Sequence, residues 1–442
     1  MRTKTIELFI LLLAFPAVAS AAPKIEHWVT DNGARVYFIE THALPVVDIN
    51  LVFNAASARE PADKQGLAML TSDMLLEGSA DLDSKAVAEG FEDRGAEIGT
   101  SSLRDMAIVS LRSLSGKEYL EPVVELLAKV ISDPKFPEKN LEREKARSLQ
   151  SLDFSLQQPA TVATRRLYEL LYRGHPYANH PSGTHESLKS IRRADLQNFY
   201  NQFYVASNMV IALVGDLSLT EARQLTKRLT KPLKKGKPAG TLPDVAAIKG
   251  GEYRIEFPST QTHIKTAYLG IKRDDPRYLA LKVGNYSLGG GGFQSRLMDE
   301  IRDKRGLSYG AYSYFQPMQQ TGTFIAALAT KNKKLEEALT VSKEVIDEFL
   351  KTGPTEKELV LAKKNITGGF PLTIDSNNKL VGTLASIGFY SLPVDYLDTY
   401  IDRVNALDRK TVTDALQSVL GSKNRVTVIV GAGEKESLSI SK

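Results

Sequence analysis

The sequence predicts an α+β fold built from two homologous halves, each an α/β sandwich. The segment NMVIALVG at 208–215 recurs as NRVTVIVG at 424–431, an offset of 216 residues. An apolar helical pattern over 120–131 recurs over 335–346, an offset of 215 residues. Two independent matches at nearly one offset indicate a duplicated unit of about 200 residues.

The first half contains local signals for strands and for a helix. The turn sequence DNG at 31–33 predicts a hairpin leading into a strand around 36–38. Residues 46–53 form a second predicted strand. In 120–131 the apolar residues follow the i, i+3, i+4, i+7 spacing of an amphipathic helix.

The segment between the two repeats divides the chain. Residues 234–243 read KKGKPAGTLP, a basic stretch rich in glycine and proline, as linkers are. We therefore predict a first half over 22–233, a solvated linker over 234–250 and a second half over 251–442.

Residues 1–21 predict a secretory signal peptide. Arg2 and Lys4 give a positive start, residues 8–15 are apolar, and 19–21 read Ala-Ser-Ala, a small-residue cleavage signal. The alternative is a buried N-terminal strand or helix. No later apolar run approaches the roughly 18 residues of a membrane span. We expect an exported protein without a membrane span, periplasmic in a Gram-negative source.

Composition excludes several function classes. With 42% hydrophobic and 25% charged residues, the 442-residue chain is neither disordered nor a polytopic membrane protein. A net charge of +5 is too small to indicate a nucleic-acid partner. The absence of cysteine excludes disulfides, thiolate zinc sites and cysteine nucleophiles.

Common catalytic motifs are missing. The glycines at 289–292 lack the Gly-Lys-Ser/Thr ending of a phosphate loop, and Gly431 and Gly433 are followed by too few residues for a dinucleotide-binding unit. There is no H-E-x-x-H sequence. His175 and His180 share a loop with two prolines, which favours a plain loop over an adventitious metal site.

Short segments that follow one another along the chain carry a family resemblance. They are DNG at 31–33, KQGLA at 64–68 with EGS at 77–79, RGA at 94–96, EREK at 142–145, HPY at 175–177 with GT at 183–184, VGD at 214–216, and SRL at 295–297 leading into IRDKRGLSY at 301–309. Their order and spacing resemble the pitrilysin/insulinase family, which includes the mitochondrial processing peptidase. The resemblance covers nearly all of the chain after the signal peptide. It implies the metallopeptidase LuxS/processing-peptidase type of fold, with two α/β halves enclosing a chamber.

The resemblance also implies a zinc site that this chain has vacated. Active members carry H-x-x-E-H on a helix, so that two histidines four residues apart ligate one zinc and the Glu activates water. Here the ligand positions hold Met69 and Asp73, the base position holds Ser72, and the distant ligand position, seven residues after Glu144, holds Ser151. Thioether and hydroxyl groups are poor zinc ligands, so we predict no metal in this chain. For Met69 the simplest interpretation is core packing.

A second pair of family residues is retained. In the family, an Arg and a Tyr seven residues apart project into the chamber opposite the zinc, and Arg302 and Tyr309 match them. An Arg donates a fork of hydrogen bonds to carbonyl oxygens, and a Tyr hydroxyl donates to an oxyanion. Without the resemblance they would be an exposed Arg and a half-buried Tyr. Arg296 and Arg305 are nearby alternatives that more simply form structural ion pairs.

These features lead to one functional hypothesis and two rivals. The chain is expected to be the non-catalytic, substrate-binding subunit of an exported heterodimeric zinc metalloendopeptidase acting on peptides, with zinc supplied by a homologous partner chain. The alternative is a structural or assembly subunit with no role in proteolysis. An autonomous hydrolase is the third reading, but no serine triad can be assigned.

Overall fold

A computed structural model describes residues 23–421 and 424–431. The predicted signal peptide at 1–21 lies outside the described residues. The elements of the first half are β1 (Glu26–Val29), β2 (Arg35–Glu40), β3 (Val46–Phe53), α1 (Leu67–Asp73), β4 (Gly78–Ser79), β5 (Leu82–Asp83), α2 (Ser84–Glu92), β6 (Glu97–Ser102), β7 (Ala107–Leu114), α3 (Lys117–Ser132), α4 (Glu138–Leu156), α5 (Pro159–Leu171), α6 (His185–Ser190), α7 (Arg193–Phe203), β8 (Met209–Gly215) and α8 (Leu219–Thr230).

The second half repeats this succession of strands and helices. Its elements are β9 (Gly251–Glu256), β10 (Gln261–Leu269), α9 (Tyr278–Asn285), α10 (Arg296–Met298), β11 (Ala311–Gln316), β12 (Thr323–Lys331), α11 (Leu335–Thr352), α12 (Glu356–Gly369), α13 (Asn377–Phe389), α14 (Tyr396–Asn405), α15 (Arg409–Leu420) and β13 (Val426–Gly431). Single π-helical turns follow α9 at Tyr286–Gly290 and α10 at Asp299–Asp303.

The two main sheets have the same strand order, which confirms the duplication. The first sheet runs β1-β2-β8-β3-β7-β6, and the second runs β9-β13-β10-β12-β11. In each, the strand that closes the half pairs in parallel with one neighbour, β8 with β2 and β13 with β9, and antiparallel with the other. The first sheet differs from the second in having one more strand, β1, at its edge.

The local predictions for the first half are confirmed. The turn at 31–33 joins β1 to β2, with Val29 opposite Arg35. Strand β3 has the predicted bounds, and helix α3 contains the amphipathic pattern, with Leu120, Val123 and Leu127 buried. These signals succeed because turn chemistry and apolar periodicity act within a few residues.

The two halves exchange a helix. Helix α5 of the first half packs on β10 and β13 of the second sheet, where Ala163 and Leu167 lie in one apolar cluster with Val426 and Val428. Helix α13 of the second half packs on β8, β3 and β2 of the first sheet. Each sheet therefore has one face covered by the other half, and burial of these faces stabilises the whole chain rather than either half alone.

A glycine allows α13 to approach the first sheet closely. A Cβ atom at Gly388 would lie 2.5 Å from Val210 Cγ1 and 2.7 Å from Tyr37 Cδ2. Real side chains do not tolerate such separations, so the spacing between this helix and the sheet depends on the missing Cβ.

The segment 234–250 has no helix or strand and is mostly exposed, as expected for a solvated linker, with Leu242 as an exception. Leu242 is 6% exposed, and its carbonyl accepts a hydrogen bond from Gln320 Nε2 at 2.7 Å. The Pro243 carbonyl lies 2.9 Å from His175 Nε2. The expectation of a solvated linker therefore fails only at Leu242, whose side chain is buried, and the hydrogen bonds of Leu242 and Pro243 fix this part of the linker to both halves.

Across the described ranges, no helix combines the length and apolar character needed to cross a membrane.

Candidate functional site

Helix α1 carries the positions of the vacated zinc motif, and a glycine sets where it begins. Gly66 precedes the helix with φ 90°, and a Cβ there would lie 2.9 Å from Leu188 Cδ2 and 3.1 Å from Gly183 Cα. The Gln65 side-chain oxygen accepts from the backbone N–H of His180 at 2.9 Å. The KQGLA segment is thus packed against the loop that contains HPY and GT.

A buried carboxyl group holds the first turn of α1. The backbone N–H of Ala68 donates to Glu60 Oε1 at 2.7 Å. Burial raises the pKa of Glu60 to about 8, although hydrogen bonds from Ala68 and Gly66 oppose the shift. Glu60 therefore has a structural explanation, as the acceptor for N–H groups at the start of the helix.

The four vacated positions have different surroundings. Met69 is half-buried against the core of the first half, in keeping with the packing interpretation. Ser72 is fully buried, and its Oγ has no hydrogen-bond partner among the described residues. Ser151 is exposed on α4. Asp73 is partly buried at the end of α1 and accepts from the Thr100 hydroxyl of β6 at 3.4 Å.

The electrostatics at Asp73 disfavour its charged form. Burial and then the carboxylate of Glu144 raise the pKa of Asp73 to about 6, with a smaller contribution from Glu77. The nearby carboxylates are already engaged, since Arg143 pairs with Glu77 and, at 3.1 Å, with Glu144. The retained Glu144 thus belongs to a structural ion-pair network.

The residues at this site do not fit zinc. A thioether, two hydroxyls and a carboxyl of raised pKa stand where two imidazoles, the carboxylate of the general base and a ligating carboxylate belong. Among residues 23–421 and 424–431, no group of three or more His, Asp or Glu side chains is placed to share a metal ion.

The two histidine side chains of the loop at 175–181 make hydrogen bonds within the protein. His175 Nδ1 accepts from the backbone N–H of Tyr177 at 3.0 Å, and its Nε2 contacts Pro243. His180 Nε2 lies 2.9 Å from Glu169 Oε1, and this hydrogen bond is the largest cause that lowers the pKa of Glu169 to about 2. These contacts agree with the plain-loop interpretation.

Arg302 and Tyr309 lie on a tight turn that is fixed to the second sheet. Arg302 belongs to the π-helical turn Asp299–Asp303, and Tyr309 follows six residues after that turn ends. The Leu307 N–H donates to the Ile301 carbonyl at 2.8 Å, and the Ser308 hydroxyl donates to the Ala329 carbonyl of β12 at 2.6 Å. The backbone beside both side chains is therefore anchored.

Tyr309 is open to solvent, and Arg302 is partly exposed. Tyr309 is 85% exposed, which differs from the half-buried Tyr that the residues would indicate without the resemblance. The Arg302 guanidinium contacts Asp303 at 3.2 Å and lies 4.7 Å from the centroid of the Phe293 ring, which is itself 66% exposed. Neither side chain is needed by the core.

The neighbouring arginines have internal partners, as expected. Arg296 makes a two-pronged ion pair with Glu358, with both distances 2.7 Å, and also donates to the Gly353 carbonyl at 3.1 Å. Arg305 pairs with Glu300 and donates to the carbonyl of the same residue at 2.9 Å.

Sequence reasoning missed three exposed aromatics in the same half as this pair. Besides Phe293, Tyr312 and Tyr314 project from β11 and stack on each other with ring centroids 6.1 Å apart. The alternation in Ala311–Gln316, with tyrosines at every second position, is the signal that indicates them. Strand β11 is also the edge of its sheet among the described strands.

The glycine run at 289–292 has a packing explanation. A Cβ at Gly289 would lie 2.4 Å from Ser313 Oγ and 2.5 Å from the Ser313 backbone nitrogen. This glycine lets the π-helical turn after α9 lie directly against β11.

Comparison with protein-family models and solved structures identifies the family. The model described as Insulinase (Peptidase family M16) matches residues 35–185, and the model described as Peptidase M16 inactive domain matches residues 190–366. The crystal structure of a peptidase M16 inactive domain from Pseudomonas fluorescens is 40% identical with a TM-score of 0.90, and the match covers 93% of this chain and 99% of that one. The chain belongs to peptidase family M16.

More distant relatives match over nearly the whole length of the chain. A Helicobacter pylori protein named "Non-peptidase homolog YmxG" is 25% identical over 412 residues, which is 92% of this chain and 94% of the relative. The "Uncharacterized zinc protease YmxG" of Bacillus subtilis is 21% identical over 418 residues, 93% of this chain and 100% of the relative. The crystal structure of a protease from Helicobacter pylori has a TM-score of 0.84 at 19% identity, covering 92% and 99% of the two chains.

Each of the two M16 family-model matches contains a different set of the candidate residues. The insulinase match contains α1 and all four vacated positions, and the inactive-domain match contains Arg302 and Tyr309. The chain is thus an M16 homologue whose zinc-ligand positions hold side chains that do not suit zinc.

Proposed function

We propose that this chain is the substrate-binding, non-catalytic subunit of an exported heterodimeric zinc metalloendopeptidase that acts on peptides. Two observations carry the proposal: Tyr309 is exposed, and the Arg302 guanidinium lies against the exposed ring of Phe293. Exposed aromatic side chains and arginines are typical of binding surfaces. The same chain has side chains at the M16 ligand positions that do not suit zinc, so the surface would serve a reaction completed elsewhere.

The exposed groups have the chemistry to hold an extended peptide. The Arg302 guanidinium presents a fork of N–H donors to backbone carbonyl oxygens. The Tyr309 hydroxyl donates one hydrogen bond, which strengthens when a carbonyl oxygen gains charge during attack by water. Among the described strands β11 forms the edge of its sheet, so its backbone can pair with an extended peptide, and it carries the exposed Tyr312 and Tyr314.

The zinc, its bound water and the general base would come from a homologous partner chain. The two halves of this chain are closed against each other by the exchanged helices α5 and α13. A chamber that holds a peptide between an intact zinc motif and Tyr309 would therefore form between two chains. The resemblance to heterodimeric processing peptidases supports this arrangement.

Export is part of the proposal because residues 1–21 have the charge, apolar run and cleavage signal of a signal peptide. Mass spectrometry of the mature protein from a Gram-negative host tests it. We expect an N-terminus at residue 22 and recovery in the periplasmic fraction, whereas a retained Met1 in the cytoplasm would contradict export.

The central test mixes this chain with an M16 protein that retains H-x-x-E-H and is encoded beside it. Each protein is assayed alone and then together on a peptide library, with analytical ultracentrifugation to detect the complex. We expect peptide cleavage only from the mixture. A complex without any gain in cleavage would favour a structural or assembly subunit, and full activity in the relative alone would exclude a role in proteolysis.

A further inference from the structure

A cavity with a positively charged lining lies where the two halves meet. Its volume is about 310 Å³, at the lower end for small-molecule sites. The first half contributes Arg104, Arg165 and the start of α5, and the second half contributes Lys265 of β10. The rest of the lining consists of Ala160, Thr161, Thr164, Tyr168, His180, Pro181 and Ser182.

The three cations of this cavity bind neutral partners. Lys265 Nζ donates to the Thr164 hydroxyl at 2.5 Å. Arg165 donates to the Gly183 carbonyl at 2.8 Å and to the Ser182 hydroxyl at 3.2 Å. Arg104 donates to two backbone carbonyls, one of them at 2.7 Å, and its guanidinium lies 4.0 Å from the centroid of the Tyr168 ring.

The two carboxylates nearest to these cations, Asp105 and Glu169, form hydrogen bonds or ion pairs with other groups. Asp105 accepts from the Tyr177 hydroxyl at 2.7 Å and from the Gln319 N–H at 2.8 Å. Glu169 pairs with Arg166 and His180, each at 2.9 Å. Within the described part of the chain, no carboxylate lies within ion-pair distance of Arg104, Arg165 or Lys265, although Asp105 attracts Arg104 and Glu169 attracts Arg165 from further away.

Partly buried cations without an anionic partner are costly to the folded state. Burial lowers the pKa of the Lys265 ammonium. Burial is also the main reason why the pKa values of Arg104 and Arg165 are lowered. A bound anion would offset this cost by supplying the missing negative charge. Three positive charges are more than one carboxylate can neutralise. A divalent oxyanion is therefore favoured as the ligand.

We propose that this cavity binds a phosphate group, either free phosphate or the phosphate of a small monoester, between Arg104, Arg165 and Lys265. Arginine forks and a lysine ammonium are the donors that phosphate oxygens prefer, and the threonine and serine hydroxyls add neutral donors. Because Lys265 belongs to the second half and both arginines to the first, the bound anion would join the two halves.

Calorimetric titration of the purified chain with inorganic phosphate, and separately with glycerol 3-phosphate, tests the proposal at constant ionic strength. Saturable binding of either compound is expected, and tighter binding of the monoester would identify it as the preferred source. Acetate serves as the monovalent control and should bind at least tenfold more weakly.

Variants locate the site. Lys265→Met should weaken phosphate binding at least tenfold, while Lys265→Arg, which keeps the charge, should retain it. Lys333→Met removes an exposed lysine of the same half and should change nothing. In phosphate-free buffer Lys265→Met should raise the melting temperature, because it removes a partly buried charge that has no ion-pair partner among the described residues. No measurable binding of either phosphate compound, or equal binding by Lys265→Met and the wild type, would overturn the proposal.

Discussion

The guanidinium of Arg302 lies over the ring of Phe293, 4.7 Å from its centroid. Such a cation–π contact holds an exposed arginine in one place without burying it. Phe293 is itself 66% exposed, so both groups remain available to a peptide or a partner chain. The contact thus holds the guanidinium in one orientation before a ligand binds, so that less conformational entropy is lost on binding.

In the complex with the zinc-bearing partner, Tyr309→Phe should lower kcat more than it raises KM. The substitution removes only the hydroxyl, and loss of one oxyanion donor typically lowers kcat by about 10²–10³. Arg302→Ala should lower kcat and raise KM, because it also removes donors to ground-state carbonyl oxygens. Steady-state kinetics with one defined peptide measures both effects.

Melting temperatures separate these effects from folding. Tyr309 and Arg302 are not core residues, so both variants should melt within about 1 °C of the wild type. Arg296→Ala is the matched control. It breaks the ion pair with Glu358 and should act through stability. Wild-type kinetics in both Tyr309→Phe and Arg302→Ala would favour the structural-subunit alternative.

Much of the fold is readable from the sequence because the signals are local. Turn residues and apolar spacing place the hairpin at 31–33, strand β3 and the core of α3. The helix exchange is not readable in this way. The apolar face of α5 predicts that the helix is buried, but nothing local indicates that it covers the sheet of the other half.

The candidate site is also only partly readable. The vacated positions and the Arg302/Tyr309 pair follow from residue types in a recognised order. Their environments depend on contacts distant in sequence, such as Phe293 under Arg302. The exposure of Tyr309 results from a turn held by Ser308 against β12, which no periodicity reveals.

The purified chain should bind no stoichiometric zinc. Met69, Ser72 and Ser151 lack the donor atoms of an M16 site, and a single partly protonated carboxyl holds zinc weakly. Elemental analysis after dialysis should give well below one zinc per chain. Near one equivalent that is lost in Asp73→Asn would contradict the vacated-site interpretation.

Asp73 should make stability depend on pH. Its pKa is about 6 in the folded chain against roughly 3.9 when unfolded, so the folded state holds more protons between these values. Stability contributed by this group therefore falls as pH rises from about 4 to about 6. Asp73→Asn should be stabilising by on the order of 2 kcal/mol at pH 8 and nearly neutral at pH 4. Urea unfolding across this range measures the difference.

Thr100→Val provides the control for that pH dependence. The Thr100 hydroxyl donates to Asp73 and lowers its pKa, so its removal should move the midpoint of the stability change to higher pH. A pH-independent difference between the wild type and Asp73→Asn would show that Asp73 is not perturbed.

Gly388→Ala should destabilise the chain by about 1–3 kcal/mol because its Cβ would overlap Val210 and Tyr37 of the other half. Gly382→Ala is the matched control on the same helix. Its Cβ would meet nothing within 4 Å, so better helix propensity should make it neutral or stabilising by up to about 1 kcal/mol. Equal effects of both substitutions on urea unfolding would mean that α13 does not pack on the first sheet as described.

Cleavage of the backbone between the halves should leave them associated. A protease site introduced between Ala246 and Ala247 lies in an exposed stretch without helix or strand. After the cut, α5 still covers the second sheet and α13 the first, so separation would expose two apolar faces to water. Size-exclusion chromatography should give one peak at the elution volume of the intact chain, and Gly388→Ala should lower the urea concentration at which that peak divides. Two separate peaks in the absence of denaturant would show that the exchanged helices do not hold the halves together.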